Sequence, residues 1–192
     1  MNLALRGLTY VKCLVYVDDC VVIGRSFDEH LVNLHEVFDR FRQAKLKLKL
    51  TKCQVFQHRV KFLGRIVSKD GVEVDPEKVA CVEACEFPRN VTELRRYLGL
   101  TGYYRQYCEN YATKAAPLTE MLRRDVPIVP TEERLKAFAE LKHMLTFAPV
   151  LAMPIDDATY YLDTDCSNVG AGAVLGQMQD GKVKVIEYAA ER

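Results

Sequence analysis

Two adjacent carboxylates between two short apolar runs constrain this chain more than any other sequence feature. Asp18 and Asp19 lie between the apolar residues 13–15 and 21–23. Two apolar runs joined by a short polar link predict a β-hairpin with a tight turn. Like charges side by side repel each other, and their burial is unfavourable unless cations neutralise them. The hairpin is therefore a candidate magnesium site, although Asp-Asp also occurs in ordinary turns.

Composition bounds the class of protein. The chain has 192 residues, of which 49% are hydrophobic, enough for one or two modest globular domains. Its seven cysteines include no Cys-x-x-Cys pair, so neither a disulfide framework nor a zinc site is indicated. No apolar stretch approaches the roughly 18 residues of a membrane span, and no signal-peptide pattern follows Met1. We expect an intracellular protein in a reducing compartment, either cytoplasmic or nuclear.

Basic residues are concentrated in one stretch of the chain. The net charge is only +1, but residues 42–65 contain several Lys and Arg residues and no Asp or Glu. Such a stretch suits contact with nucleic-acid phosphates, and Lys47, Lys49 and Lys61 are the candidate contacts. The alternative is a solvated charged face, and the sequence leaves both interpretations open.

Local signals in the first 74 residues predict one helix and several strands. Ser26 and Glu29 have capping-box spacing and begin an amphipathic helix. Its apolar stripe is Leu31, Leu34, Val37, Phe38 and Phe41. Residues 46–50 alternate leucine and lysine, which predicts a half-buried strand with a basic outer face. A second hairpin is expected around Gly64, and its sheet should end near Val74.

The second half of the chain is predicted to be helical and then to return to strands. Capping signals at residues 75–76, 90–93 and 131–133 begin three helices. Tyr97 and Tyr104 fall on the apolar face of the second of them, so we assign both to the core. From residue 159 onward the pattern indicates strands, with a turn at residues 180–181.

Six motifs in order along nearly the whole chain resemble the reverse transcriptases of gypsy-type long-terminal-repeat retrotransposons. They occupy residues 14–19, 52–56, 62–68, 75–79, 93–104, and 164–167 with 170–175. The resemblance implies an α+β fold with part of a polymerase palm sheet and its catalytic hairpin, a helical thumb, and the opening strands of a ribonuclease H-like domain. The implied boundaries are 1–74 for the palm, 75–127 for the thumb, and 128–192 for a linker helix and the truncated ribonuclease H-like domain.

The resemblance gives the first hairpin a role in polymerase chemistry. Such polymerases use two Mg²⁺ ions about 4 Å apart, and Mn²⁺ can replace them. Asp18 would bind metal directly and Asp19 would contribute less. Tyr16 and Val17 would lie against the primer terminus. The family's third metal-binding aspartate is on an earlier strand, so we expect it to lie upstream of Met1.

A second resemblance concerns the family's primer grip, a hairpin that holds the primer backbone. It rests on Phe62, Leu63, Gly64 and Arg65. Family members commonly have histidine at the position of Arg65, so this contact is expected to differ here. Taken without the resemblance, the same residues fit an ordinary hairpin with a glycine bulge.

Basic residues on the thumb-like segment are candidates for contact with the nucleic-acid backbone. Arg95, Arg96 and Arg105 alternate with tyrosines there, and that mixture suits phosphate contact and sugar packing. Tyrosines at helical spacing are also common in protein cores, which is the alternative interpretation.

The resemblance to the start of a ribonuclease H domain implies that Asp165 would be the first of its four metal-binding acids. The family usually has alanine where this chain has Cys166, and the remaining acids are expected beyond Arg192. An aspartic protease motif is excluded because Asp165 stands where that motif requires glycine after Asp163-Thr164. We therefore expect a ribonuclease H domain that is begun but not completed.

The sequence thus predicts a fragment of an RNA-directed DNA polymerase with an incomplete ribonuclease H domain, inactive as an isolated chain. Its partners would be an RNA/DNA primer-template and deoxynucleoside triphosphates. The alternative is a non-catalytic nucleic-acid-binding or interaction protein derived from a retroelement. A third aspartate encoded in frame upstream would favour the polymerase fragment, and upstream stop codons would favour a relic.

Overall fold

The chain forms two compact units in a computed structural model that describes residues 1–166 and 170–191. The first unit is Met1–Gln57 and the second is His58–Arg192. The division therefore falls before the second hairpin, whereas the predicted palm boundary lies after it, at residue 74. None of the helices formed by the described residues has the length and apolar character to span a bilayer.

The first unit contains one hairpin and one helix. Its elements are β1 (Cys13–Tyr16), β2 (Asp19–Val22) and α1 (Phe27–Gln43). The two strands pair antiparallel, as the apolar runs predicted. Ser26 caps the helix by accepting a hydrogen bond from the Glu29 amide, which confirms the predicted start. The core of this unit consists of Leu5, Leu8, Cys13, Val37 and Phe41.

Two expectations for the first unit are wrong. Residues 46–50 form no strand: Lys45 turns the chain with φ +54°, a short 3₁₀ helix covers Leu50–Lys52, and the leucines are exposed. An alternating pattern becomes a strand only where a neighbouring strand supplies hydrogen-bond partners, and no described strand pairs with this segment. Leu31 and Phe38 of the expected α1 stripe are also exposed, because burial on α1 is confined to the face that carries Val37 and Phe41.

The second unit opens with a three-stranded antiparallel sheet. Its strands are β3 (Arg59–Phe62), β4 (Arg65–Ser68) and β5 (Gly71–Val74), in the order of the chain. Two-residue turns join them, as expected around Gly64. The sheet ends at Val74, which is buried in the main core. The hairpin of β3 and β4 thus packs with the helices that follow it.

Four helices build the main core. They are α2 (Pro76–Glu83), α3 (Val91–Tyr103), α4 (Tyr111–Glu120) and α5 (Glu132–Thr146). The caps predicted for α2, α3 and α5 are all present, on Asp75, Asn90 and Thr131. Tyr97 and Tyr104 are buried, as assigned.

A second antiparallel sheet ends the described chain. It consists of β6 (Tyr160–Cys166), β7 (Ala171–Gln179) and β8 (Lys182–Glu191). Leu151 exchanges backbone hydrogen bonds with Val72 of β5, and Ala152 donates one to Val185 of β8, so a short segment joins the two sheets. Ser167, which belongs to the sixth sequence motif, lies outside the described residues.

Candidate active site and nucleic-acid interface

The predicted metal-binding acids lie at the tip of the first hairpin. Tyr16 pairs with Asp19, so Val17 and Asp18 form a two-residue turn, and these two residues with Asp19 are called here the tip turn. Val17 adopts φ +52°, a left-handed conformation that is unusual for a β-branched residue and is typical of functional sites when it occurs. The side chains of both acids are exposed and have no ion pair or hydrogen bond to a described residue.

The tip turn carries two candidate ligands for a divalent metal. Carboxylate oxygens are the donors that Mg²⁺ and Mn²⁺ prefer, and the exposed acids of the tip turn are accessible to such cations from solvent. Among residues 1–166 and 170–191, no group of three or more His, Cys, Asp or Glu side chains is arranged to hold a metal ion. Asp18 and Asp19 therefore fit the donor chemistry but fill only part of an octahedral shell.

The inner face of the same hairpin is apolar, and its two thiols are unreactive. Cys13 is fully buried, and the thiol of Cys20 on the paired strand interacts with it. Burial raises the pKa of Cys20 to about 12, so both thiols stay protonated at neutral pH. These cysteines pack the hairpin against α1 and contribute no nucleophile.

The second candidate site is the turn between β3 and β4, called here the grip turn. Leu63 and Gly64 form this two-residue turn, and both have positive φ, +49° and +69°. The Tyr103 hydroxyl donates to the Leu63 carbonyl and the Tyr104 hydroxyl to the Gly64 carbonyl, each over 2.7 Å. Both turn carbonyls are therefore occupied, while neither turn amide has an acceptor among the described residues.

Arg65 is held beside the grip turn. Its guanidinium lies 5.6 Å from the centre of the Tyr103 ring, and its Nη2 donates to Oε1 of Gln106 over 3.0 Å. The adjacent Phe62 is the last residue of β3 and is half-buried. The cation predicted for primer contact is thus partly buried and bound within the protein.

Lys61, a predicted phosphate contact, forms ion pairs with two acids in the fold. Its ammonium nitrogen lies 2.7 Å from Oδ2 of Asp75 and 2.6 Å from Oε2 of Glu77. The hydrogen bond from Lys61 lowers the pKa of Asp75, whose side chain is only 3% exposed. Lys61 therefore neutralises the acid that caps α2, which is the physical reason that it is not a free cation.

Other cations of the basic stretch are paired as well, one across a sheet and one within α1. Arg59 binds Glu73 over 2.8 Å, and Arg42 binds Asp39. Lys47 and Lys49 are exposed and form no ion pair with a described residue. Residues 42–65 contain no acid, but acids outside this stretch pair with some of its cations in the fold. Only the remaining cations are free to bind an anion.

The three arginines predicted to meet the nucleic-acid backbone remain exposed. Arg95 and Arg96 lie on α3, and Arg105 follows it in a short 3₁₀ helix. None of them forms an ion pair with a described residue. Their charges are therefore available to an external anion such as a phosphate.

Asp165 lies in β6 and is exposed. It pairs with Gly172 of β7, and Asn110 packs closely over that glycine: a Cβ there would be 2.2 Å from Oδ1 of Asn110. No described acid joins Asp165 to form a metal-binding group. β6 also carries Asp163, so this strand presents two exposed carboxylates, which is fewer than the three ligands of a metal-binding group.

The tyrosine contacts to the grip turn are the main feature that the sequence did not predict. Tyr104 was assigned only to the core, and Tyr103 was given no partner. The hydrogen bonds join residues that are 40 positions apart in the chain. No local signal reports such a contact, although adjacent tyrosines at the end of an amphipathic helix marked the place.

Family models match both ends of the chain. Residues 1–67 match the family described as reverse transcriptase (RNA-dependent DNA polymerase). Residues 131–192 match the RNase H-like domain found in reverse transcriptase.

Three curated relatives are retrovirus-related Pol polyproteins of Drosophila melanogaster transposons. Identity is 40% over 178 residues with that of transposon 297, covering 92% of this chain and 17% of the relative. It is 37% over 187 residues with opus (92% and 19%) and 33% over 177 residues with gypsy (86% and 17%). The chain thus spans less than a fifth of the length of these polyproteins.

Solved structures of a foamy viral protease-reverse transcriptase share the fold. One, described as dRH in complex with dsDNA, has a TM-score of 0.84 and 23% identity over 99% of this chain and 33% of its own. Another, in complex with an RNA/DNA hybrid, has a TM-score of 0.83 and 23% identity over 99% of this chain and 26% of its own. At this identity the likeness concerns the fold alone.

Proposed function

Because this chain is a reverse transcriptase and RNase H-like segment of a retrotransposon Pol polyprotein, we propose that it supplies part of the active site for RNA-directed DNA synthesis. The observation that carries the proposal is the pair of exposed acids, Asp18 and Asp19, at a strained hairpin tip. That hairpin lies within the segment that matches the reverse transcriptase family.

In the proposed reaction Asp18 is a direct metal ligand and Asp19 a weaker one. When bound, paired Mg²⁺ or Mn²⁺ ions would lower the pKa of the primer 3′-hydroxyl and stabilise the departing pyrophosphate of the deoxynucleoside triphosphate. Asp18 at the apex of the turn reaches a cation without displacing any protein contact. Tyr16 and Val17, both exposed on the same hairpin, would pack against the primer terminus.

The grip turn is proposed to contact the primer backbone. Its carbonyls are occupied by tyrosine hydroxyls, so its free amides are the groups left to meet an anion. Leu63 and Gly64 form the contact surface, with Phe62 behind them. Arg65 contributes a positive charge from its fixed position on Tyr103.

The nucleic-acid backbone would meet exposed cations elsewhere on the chain. Arg95, Arg96 and Arg105 on the thumb-like segment are the proposed duplex contacts, together with Lys47 and Lys49 of the first unit. The two foamy viral structures described above contain dsDNA and an RNA/DNA hybrid, which supports a primer-template as the partner. Lys61 is withdrawn from this set because two carboxylates already bind it.

Asp165 is proposed to be one metal ligand of a ribonuclease H site that these 192 residues do not complete. A single carboxylate does not offset the dehydration of Mg²⁺. We therefore expect the chain by itself to leave the RNA of an RNA/DNA hybrid intact. Hybrid cleavage that is lost in Asp165→Asn would contradict this assignment.

We also propose a reducing intracellular compartment, cytoplasmic or nuclear. All seven cysteines are free thiols, and two of them, Cys13 and Cys20, interact without forming a disulfide bond. Proteins of oxidising compartments usually pair such neighbours.

A second candidate function is non-catalytic nucleic-acid binding by a retroelement-derived protein. The observation that favours it is the lack of a three-ligand metal group among the described residues. It predicts duplex binding that persists when Asp18 and Asp19 are changed. The polymerase proposal instead predicts catalysis once further ligands are supplied.

The deciding experiment supplies those ligands. The upstream reverse transcriptase segment of the transposon 297 polyprotein, 40% identical in the shared region, is fused to this chain, and primer extension is measured on an RNA template. We expect Mg²⁺-dependent extension by the chimera and none by the 192-residue chain. A folded chimera that binds primer-template without extending it would overturn the polymerase proposal in favour of the binding protein.

A further inference from the structure

The grip turn is a backbone feature fixed by side chains from a distant helix. Leu63 and Gly64 carry consecutive carbonyls, and each accepts one hydrogen bond, from Tyr103 and Tyr104 respectively. In an exposed two-residue hairpin turn these carbonyls would ordinarily bind water. Here the donors are protein groups at the end of α3, so the turn and the helix are joined at two points.

Both tyrosine side chains that donate to the grip turn pack against neighbouring side chains. Tyr104 is 2% exposed, and its ring packs edge-on against Tyr103 with 4.9 Å between centroids. The centroid of the Tyr104 ring also lies 6.2 Å from that of the Tyr107 ring. Tyr103 is half-exposed, but the Arg65 guanidinium lies over its ring. The hydroxyls therefore occupy defined positions before any ligand arrives.

The turn needs such support because its backbone is strained. Leu63 has φ +49°, a left-handed conformation that a side chain with a Cβ adopts only at a conformational cost. Strained backbone persists where the surroundings over-determine it, and functional sites are where it is most often kept. Two hydrogen bonds to the two turn carbonyls provide that determination.

We propose that Tyr103 and Tyr104 are positioning residues that hold the grip turn in the geometry that meets the primer backbone. They act through Leu63 and Gly64 and touch no reacting group themselves. The inference rests on the proposed function for its ligand, a primer-template duplex. The bracing of the turn can be measured without any ligand.

The test compares four conservative variants of the 192-residue chain. Tyr103→Phe and Tyr104→Phe each remove one hydroxyl that reaches the turn and keep the aromatic ring. Tyr97→Phe is the matched control, because its buried hydroxyl donates to the Phe138 carbonyl over 3.0 Å, away from the turn. Tyr107→Phe removes a hydroxyl of the same aromatic cluster that reaches neither turn carbonyl.

Hydrogen–deuterium exchange of residues 62–66 measures how strongly the two tyrosine hydrogen bonds stabilise the grip turn. The loss of one hydrogen bond of ordinary net strength corresponds to roughly two- to tenfold faster local exchange, which we expect in Tyr103→Phe and Tyr104→Phe. Tyr97→Phe should lower global stability and leave exchange at the turn unchanged. Tyr107→Phe removes a hydroxyl without a hydrogen-bond partner among the described residues, and it too should leave exchange at the turn unchanged. Equal exchange at the turn in Tyr104→Phe and Tyr97→Phe would overturn the bracing.

Duplex affinity reports the functional consequence. Tyr103→Phe and Tyr104→Phe should weaken binding of a primer-template by roughly two- to tenfold with an unchanged salt slope, since no cation is removed. The controls should bind like the wild type. If the wild-type chain binds no duplex, the proposed function and the primer role both fail, whatever exchange shows. If it binds and the variants bind equally well despite faster exchange, the positioning role alone fails.

Discussion

The two hairpin turns of this chain begin with the same backbone conformation but leave different groups free. Each begins with a residue in the left-handed region, Val17 at φ +52° and Leu63 at φ +49°. The tip turn leaves its carboxylates exposed and without protein partners, whereas the grip turn has both carbonyls bound by tyrosine hydroxyls. A cation site requires acids that remain free for metal, and a backbone-binding turn requires a fixed shape. The difference therefore matches the two roles proposed for them.

The largest effect should come from the tip turn. In the polymerase chimera, Asp18→Asn removes a charge that holds the cations and should lower the extension rate by roughly a thousandfold or more. Asp19→Asn should lower it less. Asp28→Asn, an exposed acid in the first turn of α1, is the matched control and should extend normally. Equal rates with and without Asp18 would make the tip an ordinary turn and end its contrast with the grip turn.

A second prediction concerns the acid that anchors the grip hairpin. Asp75 caps α2 and binds Lys61 of β3, so Asp75→Ala should destabilise the chain by about 1–3 kcal/mol in chemical denaturation at neutral pH. The pKa of Asp75 is lowered in the folded state. Its contribution is therefore complete above the ordinary value of 3.8 and is lost as the pH falls through the lowered one.

Two observations check this pH dependence. The stability difference between the wild type and Asp75→Asn should shrink as the pH is lowered from neutrality to about 2. Asp180→Asn removes an exposed acid that is paired with Lys184, and it should change stability little at any pH. A difference for Asp75→Asn that grows toward acid would contradict the pairing with Lys61.

The glycine of the grip turn should be less replaceable than the valine of the tip turn. Gly64→Ala places a Cβ at φ +69° and 3.2 Å from the Tyr104 hydroxyl, so we expect a loss of about 1–2 kcal/mol. Val17→Asn should stabilise its hairpin by about 0.5–1 kcal/mol, because asparagine tolerates the left-handed conformation. Denaturation followed by circular dichroism measures both. A neutral Gly64→Ala would show that the grip turn is as adaptable as the tip.

The smallest effects should separate free lysines from the paired one. Lys47→Gln and Lys49→Gln should each flatten the slope of log affinity against log salt by about 0.7–0.9 for a primer-template duplex. Lys61→Gln should leave the slope unchanged because its charge is already bound by Asp75 and Glu77. Filter-binding titrations give the slopes. A flatter slope in Lys61→Gln would return this residue to the phosphate contacts.

Elements with short-range signals were predicted well. The first hairpin, the caps on Ser26, Asp75 and Asn90, and the strands after residue 159 are all present. Their causes lie within a few neighbouring residues, in alternation, turn chemistry and side-chain capping. The strand predicted for residues 46–50 is absent for the opposite reason. A strand depends on a partner strand, which can come from anywhere in the chain.

The sequence by itself determined the family resemblance, the adjacent acids of the tip turn and most helix and strand positions, because these depend on residue identity and local spacing. Only the tertiary structure decided which charges are free and which turn is braced. Lys61, a predicted phosphate contact, is paired with Asp75, 14 residues away, and the grip turn accepts hydrogen bonds from tyrosines 40 residues away. Ion pairs and hydrogen bonds act over a few ångströms of space, and folding alone brings such distant residues within that range.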